Sequence, residues 1–184
     1  MPGEGSAQRL VVMGACGSGK STVGRQLAER LGLKFLEGDD LHPARNIELM
    51  ASGVALSDAD RQDWLKSIAQ KLGRTREQGL GVVLACSALK RSYRDVLRSA
   101  CPNLRFIHLQ GSHELLAGRM ADRAGHYMPV SLLQSQLDTL EAPDPDEPSL
   151  TVDASMAADA ITQQVVDASR QWSAPEAQDA RLST

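Results

Sequence analysis

A chain of 184 residues, 42% of them hydrophobic, is long enough for one domain with a substantial buried core. Its formal net charge of -3 and isoelectric point near 5.8 give no basic surface of the kind that binds nucleic acid, so a small-molecule partner is favoured. Its three cysteines form no zinc-like pair, and no stretch approaches the roughly 18 apolar residues of a membrane span, so we expect a soluble, cytoplasmic protein with reduced thiols.

Residues 10–22 read LVVMGACGSGKST and contain the pattern G-x-x-x-x-G-K-[ST]. Glycines let such a loop turn its N–H groups inward at a phosphate, the lysine reaches the β/γ oxygens, and the serine hydroxyl ligates Mg²⁺. An apolar run precedes the pattern and a helical repeat follows it, which is the order that a phosphate-binding loop requires. We therefore predict that nucleotide phosphates bind a loop made of Gly14, Ala15, Cys16, Gly17, Ser18, Gly19, Lys20, Ser21 and Thr22.

Apolar strands alternate with helical repeats along the chain. Strands are predicted at 9–13, 33–36, 81–86, 104–109 and 150–152. Helices are predicted to end near 31, to span 43–53, to begin at caps on Ser57 and Ser112, to lie within 87–100, and to span 130–140 and 157–170. This alternation predicts a three-layer αβα fold with a parallel sheet, in which ligands gather beyond the carboxyl ends of the strands. We expect one domain over 1–172 and a disordered polar tail over 173–184.

A phosphate loop indicates a nucleotide but not its use, and three interpretations compete: a small-molecule kinase, a regulatory GTPase, and an ATP-binding module that drives conformational work. The sequence has no N-K-x-D motif for guanine and no apolar strand ending in Asp-Glu that would set up attack by water. It has an acidic cluster after the second strand and an arginine-rich segment late in the chain. Phosphoryl transfer needs a carboxylate for the acceptor hydroxyl and cations for the transferred group, so a kinase is favoured.

The acidic cluster reads Glu37-Gly38-Asp39-Asp40. Side chains alternate on an extended chain, so we expect Glu37 and Asp39 to point the same way and Asp40 the other. The cluster follows a strand of the predicted parallel sheet, and it should therefore lie at the same rim as the phosphate loop.

Five segments resemble the gluconokinases of the shikimate-kinase-like group, which has the nucleoside-monophosphate-kinase fold. They are MGACGSGKST, FLEGDDLHPARNIELMASG, LSDADRQDWL, CSALKRSYRDVLR and RAGHYMP, within a resemblance that covers about 9–170. The most specific block is G-D-x-L-H-P-x-x-N-x-x-K-M-x-x-G, where Leu49 replaces the expected lysine. The resemblance implies phosphorylation of D-gluconate at its 6-hydroxyl with ATP and Mg²⁺ to give 6-phosphogluconate, in a homodimer.

The resemblance also implies roles around the phosphate loop. Asp39 takes the position of the carboxylate that contacts the acceptor hydroxyl and is assigned as the catalytic base. Glu37 would hold Mg²⁺ through water, beside the Ser21 hydroxyl, because Mg²⁺ tends to keep several waters. Lys20 would stabilise the transferring phosphoryl group.

A mobile lid over about 119–130 and an adenine-binding loop complete the implied nucleotide site. Arg119 and Arg123 lie at i, i+4, and the resemblance implies that one lies near adenine and that the other, assigned as Arg123, acts on the β/γ phosphates. Lid closure would exclude water and limit wasteful ATP hydrolysis. The loop beginning at Asp153 would pack against adenine, mostly through backbone atoms.

Gluconate is an anionic polyol, so its pocket needs a cation for the carboxylate and neutral donors and acceptors for the hydroxyls. Arg45, Lys90 and Arg94 are the candidate cations for the carboxylate, and the choice among them stays open. The predicted substrate-binding residues, besides Asp39, are His42, Arg45, Asn46, Ser87, Lys90, Arg94 and His126.

Two alternatives remain. One is a kinase of the same fold for another small hydroxy acid such as shikimate, against which the H-P-x-x-N block speaks. The other is a nucleotide-binding regulator without catalysis, against which the intact Lys20, Ser21 and Asp39 speak.

Overall fold

A five-stranded parallel sheet forms the centre of the part of the chain that the computed structural model describes, residues 7–122 and 129–172. Its strands are β1 (Arg9–Met13), β2 (Lys34–Glu37), β3 (Val82–Ala85), β4 (Leu104–Gln110) and β5 (Ser149–Asp153). They are hydrogen-bonded in the order β2-β3-β1-β4-β5. The five strands predicted from the apolar runs are confirmed, with ends that differ by at most two residues.

Seven helices connect the strands within the described ranges. They are α1 (Lys20–Leu31), α2 (Ala44–Ala51), α3 (Asp58–Glu77), α4 (Arg91–Ala100), α5 (His113–Ala121), α6 (Ser131–Thr139) and α7 (Ala158–Trp172). The predicted capping box is present, since the Ser57 hydroxyl accepts from the Asp60 N–H and the Asp60 carboxylate accepts from the Ser57 N–H. Ser112 caps α5 with its side chain alone, which accepts from the Leu115 N–H. No helix of these ranges has both the length and the apolar character needed to cross a membrane.

Helices cover both faces of the sheet and bury all residues of β1 and β3 and most of β4, while the edge strands β2 and β5 are more exposed. On one face, α3 and α4 pack Trp64, Ile68 and Leu97 onto strand residues that include Val11 and Phe106. On the other face, α1 and α7 pack onto the alternate strand residues, such as Val12 and Ile107. The predicted three-layer αβα architecture is therefore confirmed. All four residues of β3 are apolar and buried, as expected of a strand that is covered on both sides.

A third apolar cluster joins the phosphate loop to three helices that do not cover the sheet. Ala15 and Cys16 of the loop pack with Met50 of α2, Leu116 of α5 and Leu133 of α6. This packing holds the phosphate loop against α2, α5 and α6.

The predicted lid overlaps the end of α5, but 123–128 lie outside the described residues, as does the predicted tail at 173–184.

A buried ion cluster connects α4 to the proline-rich loop at 141–148. Arg94 donates to the Glu147 carboxylate through Nε and through Nη2, each at 2.7 Å. Arg98 donates to the same carboxylate at 2.7 Å. The Arg94 side chain is 0% exposed, and it also donates to the carbonyl oxygens of Ala88 and Glu141. The prediction that Arg94 contacts the substrate is therefore wrong, because the side chain faces the interior and holds the turn after β3.

Replacing Glu147 tests this cluster. We expect Glu147→Gln to lower the free energy of unfolding by about 3 kcal/mol or more, because two guanidinium groups lose their shared carboxylate in a buried place. Urea unfolding of the variant beside the parent measures the change. The matched control is Asp146→Asn, which breaks an exposed pair with Arg91 and should leave the midpoint close to that of the parent. Equal midpoints for Glu147→Gln and the parent would contradict the stabilising role.

Candidate active site

The phosphate loop has the backbone that its glycines predict. Gly14 and Gly17 have φ of 143° and 79°, and a Cβ on Gly17 would lie 2.6 Å from the Leu116 carbonyl oxygen, so no side chain fits there. Helix α1 begins directly after the loop, and no side chain caps it at Gly19. The N–H groups of its first turn are thus left for an anionic ligand. Lys20 Nζ donates to the Ala15 carbonyl oxygen at 3.0 Å and so lies over the loop.

A cavity of about 280 Å³ lies on one side of the loop. Arg119 reaches it from α5, with Nη1 4.0 Å from the place that a Cβ on Gly19 would take. The Asp153 carboxylate accepts from the Ser155 N–H and so shapes the turn after β5, and residues just beyond this turn reach the cavity. The walls are Gly17, Ser18, Gly19, Thr22, Val23, Arg119, Asp122, Met156, Ala158 and Ile161.

The carboxylates after β2 lie beside Ser21 and Lys20, although not on an extended chain. Glu37 is the last residue of β2, and Asp39 opens a short 3-10 helix, Asp39–Leu41. The extended conformation from which Glu37 and Asp39 are expected to point the same way is therefore wrong, although the two carboxylates lie close enough for their charges to interact. Burial raises the pKa of Glu37 above its usual value, a hydrogen bond from Ser21 opposes the rise, and the charge of Asp39 adds to it.

A second cavity, of about 60 Å³, lies on the other side of the loop. Of the predicted substrate-binding residues, the structure brings Asp39, His42 and Ser87 to it, next to Lys20 and Ser21. We call it the acceptor cavity. Its walls are Cys16, Gly17, Gly19, Lys20, Ser21, Asp39, His42, Met50, Leu56, Arg61, Trp64, Ser87 and Gln136.

His42 is fixed in the wall of the acceptor cavity by two neighbours. Its ring stacks on Trp64 with centroids 4.3 Å apart and an angle of 9° between the planes. Asn46 donates to the His42 Nδ1 at 3.3 Å and to the Asp60 carbonyl oxygen at 2.8 Å. Since Nδ1 accepts, the neutral ring carries its proton on Nε2. Asn46 itself is 3% exposed and does not line the cavity, so the structure corrects its predicted substrate contact to a role in holding His42.

His42 is neutral over the ordinary pH range. Burial, with a smaller contribution from the nearby Arg61, lowers its pKa to about 4 against the opposing charge of Asp39. A neutral imidazole in this wall can donate a hydrogen bond to a hydroxyl without bringing a charge of its own.

Arg61 is a second cation in the wall of the acceptor cavity, besides Lys20, and no sequence pattern predicted it. The residue is 9% exposed and follows the capping box of α3, where its position resembles that of any polar helix residue. Its Nη1 donates to the neutral hydroxyl of Tyr93 at 3.1 Å. Within the described part of the chain it forms no direct ion pair, because Asp58 pairs with Lys90 and Asp60 with Arg45.

The structure does not bring the other predicted cations to the acceptor cavity. The Arg45 side chain is 78% exposed and lies 3.7 Å from Asp60, outside the cavity walls. Lys90 donates to both Asp58 carboxylate oxygens at 2.9 Å and also lies outside them. Arg123 and His126 lie outside the described residues.

The chain is similar to known kinases over most of its length. A family model described as "AAA domain" matches residues 10–143. The gluconokinase of Gluconobacter oxydans (strain 621H) is 48% identical over 85% of this chain and 88% of its own. The thermosensitive gluconokinase of Escherichia coli (strain K12) is 44% identical over 77% of this chain and 76% of its own. The crystal structure of a gluconokinase from Sinorhizobium meliloti 1021 superposes with a TM-score of 0.82 at 44% identity, over 91% of this chain and 94% of that chain. As its motifs predicted, the chain belongs to the gluconokinase family.

Proposed function

We propose that the protein transfers the γ-phosphoryl group of ATP to the 6-hydroxyl of D-gluconate, by direct in-line transfer assisted by Mg²⁺. The observation that carries this proposal is the composition of the acceptor cavity. A phosphate-loop lysine, a carboxylate and a buried arginine line one space, and the arginine forms no direct ion pair with any described residue. These are the groups that phosphoryl transfer to an anionic polyol needs. The homodimer that the family resemblance implies and the cytoplasmic location that the cysteines indicate stay predictions.

The nucleotide is assigned to the loop and to the cavity of about 280 Å³. The uncapped start of α1 supports phosphate binding, because its N–H groups have no side-chain partner at Gly19. Arg119 lies at the same cavity and supplies a positive charge near the phosphates. Thr22 and Ala158 line it as well, so the space is bounded by both polar and apolar groups.

The residues after β2 fit a magnesium ion that is shared with phosphates. Ser21 and Glu37 bring hard oxygen donors together next to Asp39. Burial, and to a lesser extent the charge of Asp39, raises the pKa of Glu37, and a bound cation would favour its ionised form. The described ranges contain no group of three or more His, Cys, Asp or Glu arranged to hold a metal, so these ranges offer no complete cage. Mg²⁺, when bound, supplies charge neutralisation at the transferring phosphoryl group.

Asp39 is assigned as the group that orients the acceptor hydroxyl and takes its proton. It lines the acceptor cavity together with Lys20, which lies over the loop. A loose transition state needs little early proton removal, so the main contribution of Asp39 is to position the hydroxyl. Lys20 stabilises the charge that spreads over the phosphoryl oxygens.

Arg61 is assigned as the partner of the substrate carboxylate. A buried guanidinium is costly unless an anion compensates it, and here no carboxylate of the described residues is paired with it directly. Arg61 can hold a carboxylate through two parallel hydrogen bonds. This assignment replaces the sequence-based choice among Arg45, Lys90 and Arg94.

An acceptor panel tests the proposed reaction. Purified protein with ATP and Mg²⁺ should release ADP rapidly with D-gluconate, and far less with D-glucose, which lacks the carboxylate, or with shikimate. Asp39→Asn is the matched variant, and we expect its kcat with gluconate to fall about 100-fold or more while ATP affinity is largely kept. Faster turnover of shikimate would contradict the substrate, and no stimulation by any acceptor would contradict the enzyme. A loss confined to ATP binding would make Asp39 a metal-site residue.

Two arginine variants test the assigned carboxylate partner. Arg61→Met should raise the KM for gluconate about 10- to 100-fold, because a hydrogen-bonded charge pair is lost, while the KM for ATP changes little. Arg45→Met is the control, since Arg45 lies outside the cavity walls, and its kinetics should match those of the parent. Steady-state kinetics with each substrate varied gives both values. If the gluconate KM rose in Arg45→Met and not in Arg61→Met, Arg45 rather than Arg61 would be the partner of the substrate carboxylate.

The lowered pKa of His42 predicts a pH-dependent stability. As pH falls from about 6.5 to about 4, the unfolded chain takes up a proton at His42 before the folded protein does, so the free energy of unfolding decreases in this range. Above about pH 6.5 the contribution is fully present. Denaturant unfolding across this range should show a smaller decrease in His42→Gln than in the parent. Parallel curves for the two proteins would show that the imidazole is not held neutral by the fold.

A further inference from the structure

A side chain of α6 occupies one of the N–H groups of the phosphate loop. The Gln136 Oε1 accepts a hydrogen bond from the Cys16 N–H at 2.7 Å, across 120 positions of sequence. Both residues line the acceptor cavity, with Lys20 and Asp39. A loop N–H at this place is suited to an oxygen of the phosphoryl group. In this structure, a neutral carboxamide oxygen takes that position.

The acceptor cavity opens to solvent and has about 60 Å³ of free space between its walls. Gluconate has six carbon and seven oxygen atoms, so it must contact these walls closely when it binds. The Gln136 side chain is a part of the wall that can move, because three rotatable bonds separate its carboxamide from the helix backbone.

The helix that carries Gln136 is itself held firmly. Leu132 and Leu133 of α6 are buried in the apolar cluster that includes Ala15 and Met50. Displacing α6 would break this packing, whereas rotating the Gln136 side chain leaves it intact. The carboxamide is therefore the part of α6 that responds to a ligand in the acceptor cavity.

We propose that Gln136 exchanges partners during the binding of the two substrates. An oxygen of the nucleotide's phosphoryl group takes the Cys16 N–H, and the released carboxamide binds a hydroxyl of the sugar acid. The exchange is favourable because an anionic acceptor makes a stronger hydrogen bond than a neutral one. It rests on the proposed function, and it makes each substrate strengthen the binding of the other, since coupling between two sites is reciprocal.

The test compares Gln136→Met with Gln134→Met. Methionine keeps the length of glutamine and cannot accept as the carboxamide does. Gln134 lies on the same helix, is exposed, and donates to Asp138 at 2.7 Å, so its replacement is a matched control. Isothermal titration calorimetry measures the Kd of D-gluconate with and without a non-hydrolysable ATP analogue and Mg²⁺. Urea unfolding of each variant establishes that it folds.

In the parent and in Gln134→Met, the analogue should tighten gluconate binding by about fivefold or more. In Gln136→Met this factor should fall below about twofold. The analogue alone should bind Gln136→Met about two- to tenfold more tightly than the parent, because no carboxamide has to be displaced from the Cys16 N–H. Generic damage to the site would weaken the analogue instead.

The proposal is overturned if Gln136→Met keeps the parental factor, or if the analogue alone binds it no better than it binds the parent. Gln136→Glu provides a second test, since a carboxylate next to the Cys16 N–H repels phosphate and should weaken the analogue about tenfold or more. Unchanged binding of the analogue to Gln136→Glu would also overturn it. Failure of the proposed function would look different, because the parent itself would then fail to phosphorylate gluconate.

Discussion

The parallel pairing of β1, β2 and β3 is the constraint on which the site depends. Its hydrogen bonds continue past the strand ends, where the Gly14 N–H donates to the Ser87 carbonyl oxygen at 3.3 Å and the Gly38 N–H to that of Ala85 at 2.8 Å. These two bonds hold the phosphate loop, the turn that carries Asp39 and the turn after β3 at one edge of the sheet. A Cβ on Gly38 would lie 2.5 Å from the Ala85 oxygen, so this approach also requires a glycine. The catalytic groups are thus placed by backbone geometry before any ligand binds.

Local patterns in the sequence were sufficient for the fold and for the phosphate side of the site. The apolar runs, the Ser57 capping box and the loop glycines act over a few residues, and the structure has each of them as predicted. The turn at Asp39 was not predictable in this way. Alternation along a strand is a rule for extended chain, and nothing local showed that the chain turns into a 3-10 helix at Asp39.

Local sequence patterns could not identify Arg61 as a cation of the acceptor cavity, for a different reason. Arg45, Lys90, Arg94 and Arg61 are equally good candidates when only spacing is considered. What distinguishes them is the carboxylate that each one meets, and these partners lie 15, 32 and 53 positions away for the first three. Asp60, Asp58 and Glu147 compensate those three charges, which leaves Arg61 as the buried cation that a substrate can neutralise. Only the folded structure contains this pairing.

The loop separates two cavities that are built from different elements. Gly17 and Gly19 belong to the walls of both, whereas the remaining walls come from α5 and the turn after β5 on one side, and from the 3-10 helix, α2, α3 and α6 on the other. A side chain on Gly17 would collide with the backbone of α5, and one on Gly19, at φ 94°, would require a strained backbone. Because Gly17 and Gly19 belong to the walls of both cavities, a phosphoryl group on the loop is close to an acceptor hydroxyl beside Asp39. Acceptor specificity can therefore vary through α2 and α3, whereas a change at Gln136 of α6 also acts on the Cys16 N–H of the phosphate loop.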